Sequence, residues 1–155
     1  MKYYKALLFG SIGSIVETSE IQRKSFNKAF KQYGLNWNWT KSEYLSLLSK
    51  SGGKDRISGY AKKNKIIVNS TYLRNLKTKI FNNYLKKNQL KLRPGIKNLV
   101  LFCKKKKIKL AFVSSTSSNN VNAILYSLRN SINKKDFSFV GNSKLVKKFK
   151  PNPAI

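Results

Sequence analysis

Chemistry at a protein site needs side chains that attack, exchange protons or hold charge, and this chain supplies few of the first two. It contains no histidine, which removes Ser-His-Asp and Cys-His nucleophilic machinery, imidazole metal sites and the one side chain that titrates unperturbed near neutrality. Every carboxylate can be named: Glu17, Glu20, Glu43, Asp55 and Asp136. Scattered in this way, they leave little with which to hold a hard cation or build a catalytic acid/base pair. A lone Cys103 excludes an intramolecular disulfide and any CxxC zinc site, and it fits a reducing compartment. Cations are abundant instead: 33 Lys and Arg stand against five acids, a formal net charge of +28 over 155 residues. Such a surface attracts phosphate groups whatever the fold beneath it.

The elements that must position these residues follow from apolar spacing. Lys5 to Phe9 (KALLF) is a short apolar run stopped by Gly10, the pattern of a buried strand feeding a loop. From Glu20 to Tyr33 the residues Ile21, Phe26, Ala29, Phe30 and Tyr33 recur at helical spacing, with Gly34 as a stop. Thr40 and Ser42 are capping residues for the next helix, which runs toward Gly52-Gly53, and a third helix is expected after the double glycine. Ser70 to Asn88 reads as an amphipathic helix with Leu73, Leu76, Ile80 and Tyr84 on its apolar face and Lys77, Lys79, Lys86 and Lys87 mostly off it. After Arg93-Pro94-Gly95, the spacing of Ile96, Leu99, Val100 and Cys103 predicts a helix that ends in Lys104 to Lys107, where positive charge complements the helix dipole. Ile108 to Val113 is a second strand, Ser114 to Asn120 a polar loop, Val121 to Leu128 a helix, and Phe137 to Val140 a third strand closed by Gly141. Strand, several helices, then strand-helix-strand describes an α/β core with a helical insertion.

Taken in order, KALLF-GSIGSIVETSEIQRKSFNKAF, SGGKDRI, LRPGIKNL, IKLAFVSSTSSNNV and KKFKPNPAI resemble the haloacid dehalogenase-like superfamily, and within it the CbbY, phosphoglycolate phosphatase and beta-phosphoglucomutase group. The resemblance covers essentially the whole chain. It implies a partial Rossmann-like core, three-layered α/β/α with a parallel sheet lacking its last strands, formed by residues 1–15 and 90–155. Residues 16–89 would form the inserted helical cap. It also implies phosphoryl transfer with Mg²⁺, from a loop of pattern F-D-x-D-G-T-L whose first Asp is the nucleophile and second the general acid/base.

This chain reads Phe9-Gly10-Ser11-Ile12-Gly13-Ser14-Ile15 there, so Gly10 and Ile12 occupy the two aspartate positions. Glycine has no atom to attack phosphorus, and isoleucine neither moves a proton nor ligates a cation. Ser11 between them has no adjacent base to activate it. No catalytic residue and no metal ligand is therefore expected, and no cofactor, although the family uses Mg²⁺. The phosphate-holding positions of the resemblance survive: Ser114, with Ser115 behind it, and Lys150 before Pro151. A hydroxyl and N–H groups near a helix start suit an anion. In the cap, Lys54 and Arg56 match the family's substrate loop; equally, Gly53 simply starts a helix and both cations are solvated. The acidic G-D motif with which the family continues, and which supplies its remaining metal ligands, has no counterpart before Ile155. The first strand is then expected to show an open edge that a complementing chain would cover.

Other readings carry less. Gly10-x-x-Gly13 lacks the GxGxxG spacing of a nucleotide loop. Cys103 lies on an apolar helical face and reads as a core thiol. The opening Met1 to Val16 stretch copies a signal peptide superficially, but Gly10, Ser11, Gly13 and Ser14 interrupt it and it is too short to span a bilayer. The expectation is a cytoplasmic protein with no membrane partner, a degenerate hydrolase that binds a phosphorylated small molecule. The alternatives are a basic module attracting nucleic acid or an acidic partner, and a hydrolase with rerouted chemistry.

Overall fold

The structure, a computed structural model, describes residues 4–10, 13–49 and 52–145. Its elements in chain order are β1 (Ala6–Gly10), α1 (Ser19–Gln32), α2 (Lys41–Leu47), α3 (Gly53–Lys63), α4 (Ser70–Lys87), α5 (Ile96–Lys105), β2 (Lys109–Val113), α6 (Ser118–Ser127) and β3 (Phe139–Gly141). The chain divides into two compact units, Met1–Thr18 with Tyr84–Ile155, and Ser19–Asn83. Among the described residues no helix is long and apolar enough to cross a membrane.

The first unit is built on a parallel sheet of order β1-β2-β3. The register sets Phe9 beside Phe112 and Gly10 beside Val113, and Ala111 beside Phe139. Phe9, Leu110 and Phe112 are buried, and Phe137 meets Phe9 and Phe112 edge-on with ring centroids 6.4 and 5.7 Å apart. Val100 and Cys103 of α5 and Val121, Ile124 and Leu125 of α6 complete this core. Leu99, placed on the apolar face by spacing, is over one-third exposed. The helix after β2 begins earlier than apolar spacing suggests, because the Ser117 side chain accepts the Asn120 N–H at 3.4 Å and caps it. The third strand begins later: a single 3-10 turn at Lys134–Asp136 precedes it, and Ser138 N–H donates to the Leu110 carbonyl at 2.8 Å to start the pairing.

The second unit packs aromatic side chains where a small helical bundle needs volume. Phe26, Phe30, Trp39, Tyr44, Ile57 and Leu73 form its core, with the Trp39 ring 4.9 Å from Phe26 and 4.7 Å from Phe30. Asn27 fixes the incoming loop, accepting the Trp39 N–H at 2.9 Å and donating to the Trp39 carbonyl at 3.0 Å. Thr40 then caps α2 as expected, and Glu43 returns a bond to the Thr40 N–H at 2.8 Å, closing a capping box.

In α4 the buried ridge differs from the one the sequence suggested. Leu73, Phe81 and Leu85 are fully enclosed and Lys77 is 6% exposed, whereas Tyr84 is 45% exposed. The ridge steps by four residues, so it takes in position 77 together with 73, 81 and 85. A lysine fits there because its apolar stem packs and its ammonium finds aromatic faces, 4.8 Å from Phe26 and 4.9 Å from Phe81.

The capping box makes a direct prediction. Thr40→Ala should lower stability by about 1 kcal/mol, read as a lower midpoint with unchanged slope in urea denaturation.

Candidate functional site

The parallel pairing of β1 and β2 puts the ends of two strands, and the loops after them, side by side. Gly10 closes β1 next to Val113, and Ser114 follows Val113 directly. Ser114 is buried, and its Oγ accepts the Thr116 N–H at 3.2 Å, which folds the loop back toward the start of α6. Asn120, in the first turn of α6, donates from Nδ2 to Thr116 Oγ1 at 2.9 Å, and Ser143 N–H donates to the Thr116 carbonyl at 2.9 Å. Ser115 is half-buried in the same loop. A hydroxyl, a turn of backbone and a ten-residue helix start thus occupy the carboxyl end of β2, where an α/β sheet presents its binding groups.

The loop after β1 is held by an arginine the sequence gave no reason to single out. Arg93 Nη1 donates to the Gly13 carbonyl and its own N–H donates to the Ile15 carbonyl, both at 2.9 Å. Gly13 sits at φ +86°, a left-handed conformation that favours glycine, and its N–H donates to the Val16 carbonyl at 2.7 Å. The Ser14 hydroxyl donates to the Gly10 carbonyl. Arg93 and Gly13 are 80 positions apart, so no local pattern could reveal the contact.

Gly10 itself contributes only backbone. Ile12, Ser11 and Lys150 lie outside the described residues. Lys54 is exposed in the first turn of α3; Arg56 is half-buried and donates from Nε to the Leu47 carbonyl at 2.9 Å. Those two belong to the second unit, where the structure adds a residue that sequence reasoning placed on the wrong face. Lys77 donates to Gln22 Oε1. Burial, then the like charges of Arg56 and Arg74, push its ammonium down to about 7. Arg74 lies against the start of α3, where a Cβ added to Gly53 would meet its Cγ at 3.7 Å. Burial and these like charges together favour the neutral amine of Lys77.

A Mg²⁺ ion, implied by the resemblance, needs hard oxygen ligands, chiefly carboxylates. Four of the five carboxylates are engaged elsewhere. Glu20 pairs with Arg23 at 2.6 Å, and hydrogen bonding from Arg23 holds its carboxyl below the usual range. Thr40 does the same for Glu43, through its N–H first and its hydroxyl second. Glu17 lies 3.8 Å from Arg93, and Asp55 folds over Gly52 at the start of α3. Partial burial raises the Asp136 carboxyl, but the Asn133 N–H and the ammonium of Lys104 outweigh it and the net shift is downward. Among the described residues no three Asp, Glu, Cys or His converge. Their donor set does not fit the ion.

Comparison with known proteins decides the lineage. Residues 13–155 match the family of haloacid dehalogenase-like hydrolases. The chain belongs to that family. It is 31% identical over 154 residues to Protein CbbY of Cereibacter sphaeroides, covering 97% of this chain and 67% of the relative. It is 32% identical to a CBBY-like protein of Arabidopsis thaliana, covering 97% of this chain and 50% of the other. CbbY from Rhodobacter sphaeroides has been solved in complex with phosphate and, as a variant, with xylulose-(1,5)bisphosphate. Each structure gives a TM-score of 0.86 at 30% identity, over 97% of this chain and 68% of that one. The chain thus spans between half and about two thirds of the length of these relatives.

Lys77 titrates with a sign that can be tested. Its folded value lies below the ordinary 10.5, so between pH 7 and 10.5 the unfolded chain binds more protons and stability rises with pH. From pH 7 to pH 10 wild type should gain roughly 3 kcal/mol more than Lys77→Met, measured by urea denaturation at both pH values.

Proposed function

We propose that this haloacid dehalogenase-like chain binds phosphate esters and does not transfer their phosphoryl groups. The observation that carries this reading is Gly10, placed by the sheet register beside Val113 and Ser114, where the family's nucleophile would stand. Transfer requires a nucleophile that forms a bond to phosphorus and positive charge that stabilises the equatorial oxygens. Gly10 supplies no nucleophilic atom, and Glu17, Glu20, Glu43 and Asp136 are turned to other partners. Binding asks for less: hydroxyl and N–H donors at the start of α6 around Ser114 and Ser115, and a cation at Lys150, which its motif position assigns to the same phosphate.

In the second unit, taken by itself, Lys54 and Arg56 at the start of α3 supply positive charge for an acidic group, as the resemblance implies. The CbbY structure with a bisphosphate supports a sugar phosphate as the ligand class. The buried thiol of Cys103 suits a reducing cytoplasm, where we place the protein. A second reading rests on net charge: +28 attracts any polyanion, nucleic acid included, with an affinity that falls steeply as salt rises.

Purified protein should release no phosphate from xylulose-1,5-bisphosphate with or without Mg²⁺, and mass spectrometry should find no phosphoryl adduct; metal-dependent turnover or an adduct would establish rerouted catalysis instead. In NMR titrations with inorganic phosphate at 0.15 M salt, Ser114→Ala should weaken binding about 5-fold, the loss of one hydrogen bond. Equal affinity in the variant, or tight sequence-selective DNA binding that persists at high salt, would favour the second reading.

A further inference from the structure

The parallel ladder has a second end. Gly10 and Val113 close it beside the Ser114 loop, whereas Ala6 and Lys109 open it about 13 Å away, four strand steps back. Positive charge gathers at that amino edge. Lys5 precedes β1, and its carbonyl accepts the Lys109 N–H at 3.0 Å. The last turn of α5 delivers Lys104 and Lys105, and Lys106 and Lys107 lead straight on to β2. Ile108 N–H donates to the Cys103 carbonyl at 2.8 Å, which holds this run against the start of β2. The turn is made at Lys107, with φ +56°, the left-handed conformation in which a helix usually ends on glycine.

Lys134 and Lys135 reach the same edge. Their 3-10 turn ends in Asp136, which pairs with Lys104, and Ser138 N–H then donates to the Leu110 carbonyl at 2.8 Å, next to Lys109. Asp136 is the acid of this edge. Glu17 lies against Arg93, which clasps the loop at the other end of the ladder, and Glu20, Glu43 and Asp55 belong to the second unit. Lys5, Lys105 to Lys107, Lys109, Lys134 and Lys135 are exposed, and among the described residues none of them forms an ion pair. A chain of phosphates laid along this edge would neutralise them and shed its own counterions.

Two aromatic rings stand among these lysines. Tyr4, just before Lys5, is 79% exposed. Phe102, in the last turn of α5, is 53% exposed, and its carbonyl accepts the Lys106 N–H at 2.9 Å. Splayed bases stack on such rings, whereas a duplex keeps its bases stacked on one another.

We infer that the amino edge of the sheet, where Lys5, Lys109, Lys134 and Lys135 meet the Phe102 to Lys107 segment, is a binding surface for single-stranded nucleic acid. The lysines take its phosphates, and Phe102 and Tyr4 take its bases. This surface lies at the opposite end of the ladder from Ser114 and does not depend on the phosphate-ester reading. It localises an attraction that net charge alone spreads over the whole molecule.

The test uses the full chain with a labelled 20-nucleotide oligouridylate and an RNA duplex of the same length, read by fluorescence anisotropy. At 0.15 M salt the single strand should bind at least 5-fold more tightly than the duplex, although the duplex carries twice the charge. Changing Lys105, Lys106, Lys109 and Lys135 together to Gln should weaken the single strand at least 10-fold. It should also flatten the slope of log K against log salt by about 3, at about 0.7 per phosphate contact. Changing Lys28, Lys31, Lys62 and Lys63, exposed lysines of the second unit, removes the same charge and should cost less than 3-fold. Phe102→Ala should abolish the preference for the single strand and leave duplex affinity unchanged. Circular dichroism checks that each variant keeps its fold. Equal losses in the two lysine variants would reduce the effect to net charge and overturn the proposal. A tighter duplex, or a Phe102→Ala variant that keeps the preference, would also overturn it. Displacement of the RNA by phosphatidylserine vesicles at lower phosphate concentration than by unlabelled RNA would assign the edge to a membrane instead.

Discussion

The pairing of β1 with β2 is the constraint on which the first unit depends. Two five-residue strands about a hundred positions apart lie parallel and in register, and that single ladder does three things. It aligns Phe9 with Phe112 under the Phe137 ring, it sets Gly10 beside Val113, from which Ser114 follows, and it turns Leu8 to the opposite side of the sheet. Slipping the register by one residue would exchange the faces, burying Leu8 and exposing Phe9. The placing of the loop after β2 beside the end of β1 and the burial of the core phenylalanines are consequences of one alignment.

Charge organises the second unit differently. A lysine buried on the α4 ridge is tolerated because Phe26 and Phe81 face its ammonium and Gln22 accepts from it. The nearby Arg56 and Arg74 act in the opposite sense and favour the neutral amine. With five acids in the chain, such cations have few carboxylates to turn to. Glu20, Glu43 and Asp136 are each held below the usual carboxylate range by the hydrogen-bond donors beside them.

Much of this architecture was legible in the chain. A short apolar run stopped by Gly10 marked β1, the apolar run from Ile108 to Val113 marked β2, and Thr40 announced its helix. The errors share a cause. Apolar spacing treats lysine as outward-facing, so it chose Tyr84 over Lys77 for the α4 ridge; the aromatic cage that reverses this comes partly from Phe26 on another helix. It also started α6 at its first apolar residue, although the Ser117 hydroxyl nucleates it earlier. The clasp of Arg93 on Gly13 joins distant segments and leaves no trace in local pattern.

The parallel ladder between distant strands also sets an order of events during synthesis. β1 emerges from the ribosome early and finds no neighbour until Val113 has followed, on the order of ten seconds later at about 5–20 residues per second. The aromatic helical unit, whose contacts are closer in sequence, is translated in that interval. Throughout it, Leu7, Leu8 and Phe9 travel as an unprotected hydrophobic peptide, the kind of segment that nascent-chain chaperones are built to hold.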